Sequence, residues 1–255
     1  METLVKKLLY VLALLPFLVA ANPIDDHCPQ HVLAGAPQIK HEGNNQYLCR
    51  MGYAVNYNYA TKVPYFVVER ITANHLGGSA SRKDDFREDT EIPVAHRATL
   101  HDYVSSGYDR GHIAPAGNFT YDTKAMSESF LLTNMMPQVP GNNRGIWRNL
   151  EQYTRALVKN HGEMFVISGT IYHAPVKSIG AGVAVPTRIY KIIIDPKASK
   201  TLAFLMPNED LDPKKLPTYV VPVSEIEAET GTNFLPKLPA QLSSMRTAKG
   251  DMSRW

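Results

Sequence analysis

Between Tyr108 and Arg155 the chain concentrates side chains suited to acting together on an anionic centre. They are Asp109-Arg110-Gly111-His112, then Thr133-Asn134-Met135-Met136-Pro137-Gln138, then Asn142-Asn143-Arg144-Gly145-Ile146-Trp147-Arg148-Asn149-Leu150-Glu151. An imidazole titrates near working pH and can take a proton from water. Hydrolysis of a phosphodiester also needs positive charge at the phosphorus centre, which Arg110 and Arg82 can supply. A hard cation such as Mg²⁺ keeps most of its waters and touches one or two protein oxygens, so a single amide oxygen at a helix start suffices for it. The sequence has no dense His/Asp/Glu ligand cluster of the kind a zinc hydrolase requires. Taken singly these residues say less: a lone histidine is more often structural, and an asparagine ahead of a helix is usually its N-cap.

These residues need elements to place them. Tyr65 to Thr72 is β-branched and aromatic and reads as a strand, as do Met164 to Tyr172, Arg188 to Asp195 and Thr201 to Met206, the last two joined as a hairpin. A helix is expected over Arg144 to Lys159, because Ile146, Leu150, Tyr153, Leu157 and Val158 recur on one stripe, with His161-Gly162 as its stop. A second runs from Val223 to Glu229, opened by a capping-box pattern, Ser224-Glu225-Ile226-Glu227, and closed by Gly231. If Asn143 and Glu151 are both helical they stand about 12 Å apart along the axis and about 80° apart around it. Both cannot easily ligate one ion directly, so Glu151 suits a place behind a water, or is simply an exposed helical glutamate. Ser79 to Pro93 is a charged stretch that reads as a surface loop.

The joint pattern of Asp109-Arg110-Gly111-His112, Asn134, Asn143-x-Gly145-x-Trp147 and Leu150-Glu151 resembles the DNA/RNA non-specific endonuclease family of the ββα-metal (His-Me finger) superfamily. The likeness runs from about Tyr47 to Leu238 and takes in Arg82, Phe86-Arg87 and Asp89 upstream and Thr230-Gly231 to Phe234-Leu235-Pro236 downstream. It implies an α+β fold with a central antiparallel sheet flanked by helices and a ββα-metal unit at the site. His112 would lie on or beside a first short strand, Asn134 on a second, and Asn143 would enter the helix.

By the same resemblance His112 is the general base, Asn143 the one direct protein ligand of Mg²⁺ or Mn²⁺, and Glu151 a ligand through water. Arg82 and Arg110 bind the scissile phosphate, and Asn134 supports catalysis near the site. Arg87 and Arg144 add phosphate contacts or are plain surface charges. The implied substrates are DNA and RNA, cut to 5′-phosphate products and held mainly through backbone phosphate, which carries no sequence information.

The rest of the chain sets the context. Met1 to Ala21 places Lys6 and Lys7 ahead of an apolar run and ends in small residues, the order of a signal peptide; an uncleaved anchor is the alternative. The product is therefore expected to be exported, periplasmic or extracellular, with no stable membrane association once the leader is cleaved. Cys28 and Cys49 are the only cysteines. In an oxidising compartment they pair as a disulfide, closing a loop of about twenty residues worth roughly 3 kcal/mol, and otherwise they are two buried thiols. Residues 22–46 are expected to form an irregular N-terminal segment tied by that disulfide, 47–240 the endonuclease domain and 241–255 a C-terminal tail. The formal charge of +3 makes no electrostatic case for a polyanion partner by itself. A binding module that has lost turnover is disfavoured by the joint presence of His112, Arg82, Asn143 and Glu151. An esterase or protease is disfavoured because neither Gly-x-Ser-x-Gly nor His-Glu-x-x-His occurs.

Overall fold

A computed structural model of the chain describes residues 22–40 and 43–255; the export leader expected over residues 1–21 lies outside them. The β-branched and aromatic runs become strands, since such side chains pack well on a pleated surface. Strands β1 (Asn45–Cys49), β2 (Ala54–Asn58) and β3 (Val63–Thr72) precede the site segment, which holds β4 (Asp109–His112) and β5 (Met135–Gln138). Strands β6 (Glu163–Ile171), β7 (Arg188–Asp195), β8 (Lys200–Pro207) and β9 (Val220–Val221) follow it. All but β4 and β5 join one sheet in the order β9-β8-β7-β6-β3-β2-β1, every neighbouring pair antiparallel. The hairpin of β7 and β8 is the expected one, with Asp195 opposite Lys200.

The helices are α1 (Pro23–His27), α2 (Thr123–Glu128), α3 (Arg148–His161), α4 (Val223–Thr230) and α5 (Ser244–Thr247). Alternation along the strands divides the core in two. Val67, Ile71, Ile189 and Ile193 face α3, whose buried stripe of Leu150, Leu157 and Val158 continues Ile146 and Trp147. Phe66, Val68, Tyr190 and Ile192 face the opposite way, onto α4 and α5 through Val223, Ile226 and Met245. Each such large apolar side chain contributes about 1.5–3 kcal/mol when fully buried, so both faces hold the sheet in place. Helix α3 ends where expected: Gly162 takes φ 97°, and its N–H returns to the Val158 carbonyl.

The chain ends are more ordered than the sequence suggests. Residues 22–46 were expected to be irregular, yet Ile24, Ala34 and Ala36 are buried against the back of the sheet, and Gln38–Ile39 pairs with Thr232–Asn233. The first strand of the large sheet starts at Asn45, inside the stretch expected to be irregular. Cys28 and Cys49 are bonded, with Cα atoms 6.0 Å apart, fixing this segment to the end of β1. The stretch 241–255 is no loose tail either. Met245 is buried, its carbonyl accepts from the Thr201 hydroxyl, the Met252 carbonyl accepts from the Tyr153 hydroxyl at 3.1 Å, and Trp255 stacks on His161. Nor does Ser224 open α4. Pro222 stands at the N-cap without a side-chain cap bond, and Glu227 instead accepts from the Phe234 N–H at 3.0 Å. Among the described residues a reciprocal capping box joins Thr72 to His75.

Candidate active site

Strands β4 and β5 form a separate antiparallel ribbon, Asp109 opposite Gln138 and His112 opposite Met135. Glycine is needed at 111 because a Cβ there would lie 2.1 Å from the Gln138 Oε1. After β5 the chain turns helical at Pro140, then widens into a π-turn over Asn143–Trp147 in which Gly145 leaves helical dihedrals (φ −106°, ψ −106°). Such single π-turns recur at functional sites, where the extra residue re-aims side chains. Asn143 is therefore not the N-cap of a regular Arg144 helix. It sits inside helical chain (φ −56°, ψ −51°), and its side chain reaches away to β4. The π-turn also removes the premise of an unbroken ideal helix from Asn143 to Glu151.

Side-chain hydrogen bonds clamp ribbon to helix. The Asn143 Nδ2 donates to Asp109 Oδ2 at 2.8 Å, which leaves the amide oxygen Oδ1 without a hydrogen-bond partner among the described residues. The Trp147 indole N–H donates to the carbonyl of His112 at 3.3 Å. Over this clamp lies a cavity of about 450 Å³ into which Arg82, Arg110, His112, Asn143, Arg144 and Glu151 converge. The His112 ring packs edge-on against Phe130 at 5.0 Å and beside Phe86 at 5.6 Å, and its Nε2 is buried with no partner. The same two phenyl rings carry the arginines: Arg82 lies over Phe130 at 5.0 Å and Arg110 over Phe86 at 4.5 Å. Cation–π contact of this kind steadies a guanidinium without consuming its N–H donors.

Electrostatics follows from burial. Desolvation, reinforced by the Arg82 charge, pulls the His112 imidazole down to about 3, so it is neutral and able to accept a proton at ordinary pH. Burial pushes the Glu151 carboxyl up, against the opposing charges of Lys191 and Arg155. Burial acts in the same sense on Asp109 but loses there to the hydrogen bonds from Arg144 and Asn143, which hold its carboxyl below the usual range.

Beneath the cavity floor lies a buried polar layer. Lys191 donates to the Ser168 hydroxyl at 2.7 Å and stands 4.9 Å from the Trp147 ring centre; Glu69 accepts from the Asn118 amide at 3.0 Å. Asn118 in turn accepts from Arg155 at 3.2 Å, which joins the layer to the cavity wall.

Among the described residues no group of three or more His, Cys, Asp or Glu is arranged to hold a metal ion. The oxygen-bearing side chains offered to an ion along the cavity are Asn143, whose Oδ1 has no hydrogen-bond partner among the described residues, Glu151, and Asp109, the last already held by Asn143 and Arg144. That sparse, all-oxygen set fits a hard, largely hydrated cation and does not fit zinc.

The structure thus brings together His112, Asn143, Glu151, Arg82 and Arg110. Arg144 lies at the rim, with two of its nitrogens on Asp109 at 2.6 and 2.8 Å. Two expected members are elsewhere. Asn134 lies in the turn before β5, not on it, and is fully buried: it donates to the Ala114 and Ser129 carbonyls and accepts from the Ala114 N–H. Its amide braces the chain leaving His112 and has no atom for the cavity. Arg87 points away, bound to Asp85 and the Ser127 carbonyl, because it is the neighbour of Phe86 and so takes the other side of an extended segment. Arg148 and Arg155 line the cavity and were not singled out from the sequence, although Arg155 stands one helical turn from Glu151, a spacing that puts both on one face.

A model of the DNA/RNA non-specific endonuclease family matches residues 34–241. Human mitochondrial endonuclease G is 34% identical over 220 residues, covering 80% of this chain and 74% of that protein. A nuclease of Nostoc sp. is 32% identical over 271 residues, covering 94% and 97%. The solved structure of an EndoG/EndoGI complex superimposes with TM-score 0.77 at 29% identity, covering 88% of this chain and 95% of that one.

Proposed function

This chain belongs to the DNA/RNA non-specific endonuclease family, and from that premise we propose that it is an exported, Mg²⁺-dependent nuclease in which His112 is the general base. The family assignment makes it a nuclease acting on DNA and RNA. The observation that carries the residue roles is the neutral ring of His112 lining the same cavity as Asn143, whose amide oxygen has no hydrogen-bond partner among the described residues.

The phosphodiester enters with its non-bridging oxygens toward Arg82 and Arg110, whose positive charge offsets the charge that builds on phosphorus. The His112 imidazole accepts a proton from the attacking water, and the histidine's apolar surroundings keep it neutral until that transfer. Asn143 would hold Mg²⁺ directly and Glu151 through a water, with Mn²⁺ able to substitute. The ion, when bound, stabilises the departing 3′ oxygen, so the product ends are 5′-phosphate and 3′-hydroxyl. Because contacts go to phosphate and not to base edges, DNA and RNA are both substrates.

His112→Ala should lower turnover by about 10²–10⁴-fold while leaving nucleic-acid binding in place. The check is digestion of matched DNA and RNA by purified protein across a Mg²⁺ and Mn²⁺ series, with EDTA as blank. Near-normal cleavage by folded His112→Ala, or cleavage that survives EDTA, would overturn these roles. Export is supported by the character of residues 1–21 and by the bonded Cys28–Cys49 pair, a linkage that persists in oxidising compartments. Fractionation of producing cells should find a form lacking the leader in the periplasm or the medium; retention of the whole chain in the cytoplasm would refute it.

A further inference from the structure

A second groove, of about 380 Å³, opens beside the first, and the two share Gly117 and Arg155 as common wall. It runs along α3 past Gln152 and Ala156 to Lys159, with Leu76 on the other side. Arg148, Gln152, Arg155 and Lys159 fall at positions 0, 4, 7 and 11 of a regular helix. At roughly 100° per residue they lie within about 60° of one another and span about 16 Å of the axis. The exposed face of α3 is therefore one polar stripe leading out of the catalytic cavity, with a net positive charge.

The stripe is also uncommitted. The side chains of Arg148, Gln152 and Lys159 are exposed and make no hydrogen bond or ion pair among the described residues. Arg155 is the exception and serves as the junction. Its guanidinium is held by Asn118, which is held by buried Glu69, and a Cβ on Gly117 would stand 3.2 Å from its Nη1. A glycine at 117 leaves the passage between the two grooves open. The carboxylate facing this stripe from its own helix is Glu151, which lies at its edge within the catalytic cavity.

We propose that this groove is a phosphate-backbone subsite, in which Lys159 and Gln152 hold the strand on one side of the scissile bond. The inference rests on the catalytic reading only for which cavity the strand comes from. The stripe's span of about 16 Å, from Arg148 in the catalytic cavity to Lys159 in the groove, corresponds to several nucleotides at about 3.4 Å of rise each. Phosphate held outside the reacting centre adds affinity to long strands and not to the chemical step, because it is gripped equally before and during reaction.

The test uses the full protein, Lys159→Gln, and Lys40→Gln as a charge-matched control on an exposed lysine beside Gly231, next to the strand pair formed by Gln38–Ile39. Binding of a fluorescent single-stranded oligothymidylate is read by anisotropy in EDTA across a salt series, and steady-state cleavage of the same strand is read with Mg²⁺. Lys159→Gln should weaken binding severalfold, raise KM with kcat unchanged, and reduce the slope of log affinity against log salt by about 0.7, the contribution of one phosphate contact on a single strand. Lys40→Gln should match the parent. Equal affinity and equal salt slope for Lys159→Gln and the parent, or the same loss in both variants, would overturn the subsite. A parent that binds without cleaving would instead remove the catalytic reading and leave the anisotropy result to decide the groove.

Discussion

His112 has a neutral ring, as its proposed role of base requires, and two phenyl rings pack against it. Phe86 and Phe130 pack against the imidazole and hold Arg110 and Arg82 over their faces, so one pair of side chains bears on the histidine's proton affinity and on the placing of both guanidinium groups. Since kcat/KM reports groups of the free enzyme, His112 at about 3 should add no limb at the ordinary histidine value, and the first loss of activity on the acid side should belong to Glu151, whose carboxyl burial pushes up. Cleavage rates at low substrate should then stay flat as pH falls through about 6.5, as long as circular dichroism shows the fold intact. A limb centred at the ordinary value would count against the buried, neutral base. At this scale the sequence singled out five residues that line one cavity, His112, Asn143, Glu151, Arg82 and Arg110. It could not say how a supporting residue acts. Nothing in the letter at position 134 reveals that all its amide groups are spent on Ala114 and Ser129.

The elements were legible in proportion to their periodicity. The α3 stripe, the Gly162 stop and the β7–β8 hairpin follow from apolar spacing and turn residues. The π-turn at Asn143–Trp147 does not, since a pattern of period 3.6 cannot announce one added residue, and Gly145 alone reads as a mere helix weakener. Segments 22–46 and 241–255 looked irregular because their anchors are single side chains such as Ile24 and Met245, not repeating runs.

The polar layer under the site was equally hidden. Glu69 and Lys191 sit inside apolar strands, where burial raises the carboxyl to about 7 and lowers the ammonium, each effect opposed by the other's charge. Lys191→Met removes the cation and strands the carboxylates, which should cost about 3–5 kcal/mol in denaturant unfolding. Replacing Glu69 by Gln in the same chain should recover much of that loss. If the double variant is as unstable as the single one, the two groups are not paired.

For the whole molecule the buried histidines set the response to acid. Burial lowers His31 to about 4, against the hydrogen bond it makes with the Arg50 carbonyl, and lowers His112 to about 3. Both folded values lie below the unfolded one near 6.5, so between them the unfolded chain binds more protons and stability falls as pH falls. Each contributes about 1.4 kcal/mol per pH unit inside that window. Thermal unfolding from about pH 7 down to about pH 4 should show the loss, with a shallower decline in His31→Asn and in His112→Asn. An unaltered decline in both would assign the acid lability to other groups.

The central pairing of β3 with β6 joins Phe66 to Gly169 and Thr72 to Glu163, so the entire stretch that carries His112, Asn143 and Glu151 is a loop closed by two strands distant in sequence. Drawing such ends together costs chain entropy before any contact repays it, and folds governed by distant pairings assemble slowly. A chain still emerging from the ribosome is therefore expected to be harmless to nucleic acid until β6 is out and the loop can close.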